Sequence, residues 1–130
     1  MSELCKGGSC RERAISLESN ELAHQIVVRA SERNAADIKL LDIRELTTIA
    51  DFFVICTATS TVHVRALVDE VVNAMREDAD RRGRPEGSPS DGWMVVDFGD
   101  VLVHVFVEEK RTYYALEEFW ADAPALVHMP

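Results

Sequence analysis

Positive charge is scarce in this chain: 14 Lys plus Arg stand against 23 Asp plus Glu in 130 residues, a formal net charge of −9. So acidic a protein lacks the cationic footprint that bare nucleic acid requires, and direct nucleic-acid recognition is not expected. Its electrostatic complement is a basic surface, such as a cationic protein. Long apolar runs are also missing. The densest, Phe52 to Cys56 and Val101 to Val107, fall well short of the ~18 residues a membrane-spanning helix needs, so no such helix is expected. No apolar signal core opens the sequence, so export is not expected either. Cysteine is limited to Cys5, Cys10 and Cys56. An odd count builds no disulfide framework and suits a reducing, cytoplasmic setting. Cys5 and Cys10 match no common zinc spacing, and no second ligand pair follows them, so no metal site is expected. With 47% apolar and 28% charged residues, the remaining composition predicts one globular domain around a single core.

The charge is unevenly placed. Residues 92–130 hold only Lys110 and Arg111 against seven acids, so this segment carries −5 of the −9. An electrostatic partner is expected at the C-terminal third.

Hydropathy periodicity orders the rest. Residues 1–18 are polar, carry Gly7 and Gly8 and show no sustained period, which predicts a flexible N-terminal tail. From Ser19 to about Asn34, Leu22, Ile26, Val27 and Ala30 recur at helical spacing, with Ser19 or Asn20 as cap. Asp37–Ile43 alternates as a strand. The denser run Asp51–Thr57 predicts a strand covered on both faces. Ser60 then caps a long helix whose stripe is Val64, Leu67, Val68, Val71, Met75 and Ala79. Gly83, Pro85, Gly87, Pro89 and Gly92 leave room for one short edge strand.

Two alternating runs then flank Gly99-Asp100, which predicts a two-residue hairpin. That register pairs Phe98 with Val101, Val96 with Val103 and Met94 with Val105, giving one apolar face. The opposite face pairs Asp97 with Leu102, Val95 with His104 and Trp93 with Phe106, leaving Asp97 and His104 diagonal neighbours. Arg111 to Trp120 reads as a closing helix ended by Pro124. The parts assemble into an α/β (α+β) domain, a single mixed sheet flanked by helices, because a strand–helix–strand unit demands a crossover while the hairpin is antiparallel. The boundaries are a tail over 1–18, a domain over 19–124 and a C-terminal tail over 125–130.

Four constellations bear on chemistry. Asp97 and Asp100 place two carboxylates at a turn, but no third carboxylate and no phosphate-cradling glycine loop accompanies them, so they suit an acidic contact better than catalysis. Cys56 with His63 invites a nucleophile and base reading. Cys56 lies in an apolar strand, however, and nothing orients the histidine. Ala58-Thr59-Ser60, between strand and helix, reads as a helix cap rather than an anion site. Trp93, His104, Phe106 and Tyr114 gather bulky groups near the mixed sheet face, which fits either packing or an aromatic binding surface with a charged rim.

The series Ala50-Asp51-Phe52-Phe53-Val54-Ile55-Cys56-Thr57-Ala58-Thr59-Ser60, His63-Val64, Glu86-Gly87, Trp93 through Asp97, Gly99-Asp100, Val103-His104-Val105 and Tyr114-x-Leu116-Glu117-x-x-Trp120 resembles the ribosomal silencing factor family, also called Iojap-like. The resemblance runs from about Glu21 to Pro124. It implies a mixed five-stranded sheet of nucleotidyltransferase-like topology, without that fold's catalytic carboxylates and without a cofactor. It also implies a non-enzymatic protein that binds the large ribosomal subunit through its fourteenth protein and blocks an intersubunit bridge, with homodimers in some members. Carried over by motif, the implied contact residues are Trp93, Asp97, Asp100, His104 and Tyr114. The chain departs from the family pattern at Ala58, where glycine is usual, and at Ala79 and Arg82, where a glycine and a proline are usual; Gly83 and Pro85 are shifted. The rival readings are a nucleotidyltransferase-like nucleotide-binding protein, with Thr59-Ser60 near a phosphate and Asp97 and Asp100 on Mg²⁺, and a large-subunit assembly factor using the same surface.

Overall fold

The computed structural model describes the backbone of residues 8–129 and the side chains from Ser19 to Met129. The elements run α1 (Gly8–Glu32), β1 (Ala36–Asp42), β2 (Phe52–Ala58), α2 (Thr61–Ala79), β3 (Arg84–Ser88), β4 (Trp93–Asp97), β5 (Val101–Val107), α3 (Glu108–Tyr114), α4 (Leu116–Phe119) and β6 (Ala125–Met129). One six-stranded sheet has the order β3-β4-β5-β2-β1-β6. Only β2 and β5 are parallel; every other neighbouring pair is antiparallel. The crossover demanded by that parallel pair is made through α2, β3 and β4.

The α/β class and the mixed sheet stand as expected, with six strands in place of five. The added strand is β6, in the stretch read as a C-terminal tail. Its residues are mostly exposed, so it carries little hydrophobic pattern. Backbone bonding to β1 holds it at the sheet edge, and such bonding leaves no trace in composition.

α1 begins at Gly8, well before Ser19, so residues 8–18 are helical where a tail was expected. Residues 9–18 contain no proline or glycine to stop a helix. Ser19 is accordingly not a cap; it is buried inside the helix and its hydroxyl donates to the Asp100 carboxylate. The expected tail over residues 1–7, with Cys5, lies outside the described residues, as does the Cys10 side chain.

α2 matches its stripe. Ser60 caps it, its Oγ accepting from the His63 backbone N–H at 3.1 Å, and Val64, Leu67, Val68, Val71 and Met75 are buried. With Leu22, Ala23, Ile26, Val27 and Ala30 of α1 they cover one sheet face, meeting Met94, Val96, Val101, Val103 and Val105. The hairpin register is the expected one, Trp93 opposite Phe106 through Asp97 opposite Leu102. The closing helix, by contrast, is broken. Ala115 adopts a left-handed conformation (φ 48°, ψ 44°), dividing α3 from α4.

Asp100 is a clamp at the hairpin end of the core. Its carboxylate accepts from Ser19 of α1 and from Arg81 just beyond α2, and Arg81 also donates to the Phe98 carbonyl at 3.1 Å. Its backbone carbonyl accepts from Asp51 at 2.8 Å and Phe52 at 3.2 Å. Asp100→Ala is expected to lower stability by about 2 kcal/mol, the worth of a partly buried charged hydrogen-bond pair, read as a lower urea midpoint at unchanged slope.

Candidate functional site

The second sheet face is where the sequence placed its bulky and polar groups together. Because side chains alternate along a strand, Trp93, Val95 and Asp97 of β4 share this face with Leu102, His104 and Phe106 of β5. Phe53 and Ile55 extend it across β2. The two short C-terminal helices cover only part of it. Phe53 meets Trp120 edge-on at 5.2 Å between ring centres. Trp93 is half-buried, stacked on Phe106 at 5.1 Å and tilted against Tyr114 at 4.6 Å. Tyr114 is 46% exposed and Tyr113 77%. Trp93 and Tyr114, separate in sequence, therefore form one aromatic surface.

His104 sits beneath that surface rather than on it. It is 7% exposed, edge-on to Phe53 at 5.0 Å, and its Nδ1 accepts from the Trp93 indole N–H at 3.4 Å. That bond assigns the other ring proton to Nε2, which has no partner among the described residues. Burial lowers its pKa from 6.5 to about 4, so the ring is neutral in the folded protein. The unfolded chain takes up that proton at higher pH than the folded one, so stability falls as pH drops from about 6.5 toward 4. His104→Leu removes the orphaned Nε2 but also the acceptor of the Trp93 indole N–H, so stability at neutral pH is expected to change by no more than about 1 kcal/mol, while that slope flattens. Urea unfolding at several pH values reads both. A large loss at neutral pH would show that the imidazole is needed.

The two hairpin carboxylates separate. Asp97 is half-buried on the aromatic face; its Oδ1 accepts from the Gly99 N–H at 2.7 Å and its Oδ2 lies 3.5 Å from Arg84. Asp97 and His104, diagonal neighbours as expected, choose these other partners and do not bond each other. Asp100 faces the α1/α2 side, where Ser19 and Arg81 bind its carboxylate. Among the described residues no group of three side chains could hold a metal ion.

Cys56 and His63 are likewise apart in role. Cys56 is buried and desolvation pushes its thiol up to about 12. His63 accepts from the Thr59 N–H through Nδ1 at 2.9 Å, leaving Nε2 to donate to the Arg33 carbonyl at 2.7 Å. Both nitrogens are committed to tying the start of α2 to the end of α1.

Sequence reasoning passed over Arg111. It is buried at the end of the sheet. Nε and Nη2 donate to Glu117 at 2.8 and 3.0 Å, and Nη1 donates to the Asp37 carbonyl at 2.6 Å and to Thr57 Oγ1 at 2.7 Å. Lys39 reaches the same Glu117 at 2.7 Å. The available signal was its isolation: Lys110 and Arg111 are the only cations among seven acids over residues 92–130.

Residues 16–129 match the sequence family described as ribosomal silencing factor during starvation. The chain belongs to the ribosomal silencing factor family. A ribosomal silencing factor of Halalkalibacterium halodurans is 37% identical over 109 residues, covering 83% of this chain and 93% of that one. A mouse protein named mitochondrial assembly of ribosomal large subunit protein 1 is 34% identical over 92 residues, 68% of this chain and 40% of that one. A crystal structure of a Chromobacterium violaceum protein superimposes with a TM-score of 0.75 at 31% identity, covering 78% of this chain and 85% of that one. The match through residue 129 takes in β6, so this edge strand lies within the silencing factor region.

Proposed function

We propose that this silencing factor binds the large ribosomal subunit through its fourteenth protein, covers a surface needed by an intersubunit bridge, and so keeps the small subunit from joining, repressing translation in the cytoplasm. Family membership carries the reading. The name of the mouse relative ties one member to the large subunit. The half-exposed Trp93 beside Tyr114, with Asp97 on the same face, has the make-up of an interface centre with a charged rim. Two cations against seven acids over residues 92–130 suit a basic protein. In this reading Trp93 and Tyr114 supply apolar area and Asp97 supplies charge. His104 acts from below by backing Trp93, and Asp100 by holding the hairpin that carries Asp97. A steric block requires affinity and no reaction.

The test is a sucrose gradient of purified protein with isolated large and small subunits. The expected result is co-migration with the large subunit and fewer joined ribosomes. Protein left at the top with joining unaffected rejects the reading. Asp97→Lys is expected to weaken co-sedimentation by about tenfold through charge reversal at the rim, while Asp97→Asn, which can still accept from Gly99, controls for the turn. Equal binding by all three removes Asp97 from the surface. The mouse name also favours an assembly role on the same surface. Depletion in cells separates the two, immature large subunits pointing to assembly and excess joined ribosomes under starvation to silencing.

A further inference from the structure

Beside the aromatic surface lies a cavity of about 400 Å³ between β3, the turn at Pro89–Asp91 and α3. Trp93, Val95 and Tyr114 give it an aromatic and apolar wall, and Glu86 and Asp91 stand at it as exposed carboxylates. Neither acid forms an ion pair among the described residues, whereas Asp42, Asp97 and Asp100 each have an arginine. Lys110 also borders the cavity, but its ammonium leans over the Tyr113 ring at 6.0 Å. Gly92, between Asp91 and Trp93, lets the Lys110 side chain pack close to the backbone there: a Cβ would come within 2.8 Å of Val107 and 2.9 Å of Lys110. Two uncompensated carboxylates beside aromatic rings, in a space roomy enough for a long side chain, are complementary to a planar cation. A guanidinium stacks on aromatic faces and offers forked donors to carboxylates, which an ammonium does not.

We propose that this cavity receives an arginine side chain of the basic partner, stacked against Tyr114 and Trp93 and held by Glu86 and Asp91. The inference rests on the silencing reading for who the partner is, but the pocket chemistry is testable without a ribosome. The probe is acetyl-Gly-Arg-Gly-amide, titrated into the full ¹⁵N-labelled chain while the Trp93 indole N–H resonance is followed, Trp93→Phe assigning it against Trp120. The neutral isostere, with citrulline for arginine, is expected to need about tenfold more peptide for the same shift, the worth of one charge-assisted contact. Glu86→Gln with Asp91→Asn is expected to erase that preference. Both acids are exposed, so the fold is retained, and thermal unfolding checks it.

Equal response to arginine and citrulline peptides overturns the proposal, and so does an unchanged preference in the double variant. A third probe, acetyl-Gly-Lys-Gly-amide, is expected to bind more weakly than the arginine peptide, and an equal response overturns the guanidinium assignment. On the ribosome, the double variant is expected to bind large subunits about tenfold more weakly, with a shallower salt dependence. Wild-type protein that fails to bind large subunits defeats the silencing reading and leaves the peptide result standing. Wild-type and double variant binding alike defeats the pocket and leaves the silencing reading standing.

Discussion

Arg111→Met is expected to lower unfolding free energy by about 3 kcal/mol, the lower end of the range for removing one member of a buried ion pair. The lower end applies because Glu117 keeps a quarter of its side chain in solvent. Methionine matches the length of the arginine stem, so the loss isolates the guanidinium. Thr57 Oγ1 and the Asp37 carbonyl lose the guanidinium donor, and the Glu117 carboxylate is left with Lys39 alone. That carbonyl lies where the β1–β2 register shifts between Ala36 and Lys39, and Asp37 has φ 49°. Arg111 thus closes a gap in the ladder as well as binding α4 to the sheet. The same pairing shows in acid. The hydrogen bond from Arg111, with help from Lys39, holds the Glu117 carboxyl at about 2, against desolvation that works the other way. A lowered folded-state pKa stabilises above the unfolded value near 4.5, and that contribution is lost as pH falls toward about 2. In Arg111→Met this slope is reduced, with Lys39 keeping part of it. Urea midpoints from pH 7 downward read both effects. A neutral-pH loss under about 1 kcal/mol would mean that packing replaces the pairing.

Trp93→Ala is expected to reduce large-subunit binding by about 30-fold or more, the 2 kcal/mol threshold of an interface hot spot. The ring lies on Phe106, against Tyr114, and on the acceptor nitrogen of His104. Truncating it removes apolar contact area, uncovers His104 and empties one wall of the adjoining cavity. Half-burial limits the cost to the fold, so the protein is expected to unfold cooperatively at a somewhat lower midpoint. Fluorescence-detected binding to purified large subunits, beside urea unfolding of the same preparation, separates the two losses. Full binding by a destabilised Trp93→Ala would place the ring in the core and move the interface elsewhere.

What each level of description decides follows from the range of the forces involved. Local pattern sufficed wherever a residue's partner is near in sequence or one face must be buried. The Ser60 cap lies three residues from the N–H it binds. The α2 stripe is set by helical spacing. Once Gly99-Asp100 is taken as the turn, the period of two along both strands fixes every pair of the hairpin, and with it the side of the sheet that Trp93, Asp97 and His104 share. Charge counting alone located the acid-rich third.

Tertiary structure decided whatever depends on partners far along the chain. Asp97 and Asp100 look alike in sequence, but Ser19, 81 residues away, and Arg81 take only the second. Arg111 looks like a surface residue until Asp37, 74 residues earlier, and Thr57, 54 residues earlier, close on it. The break at Ala115 follows from the same closure, which brings Glu117 back onto Arg111. β6 is held at the edge by backbone bonds to β1, and such bonds carry no hydrophobic signal. Tyr114 joins Trp93, and Glu86 and Asp91 meet them at one cavity, only because α3 lies across the end of the hairpin sheet. The sequence determined which residues are apolar, charged or turn-forming and which face of each element they share; long-range packing determined which of the charges are left unpaired for a partner.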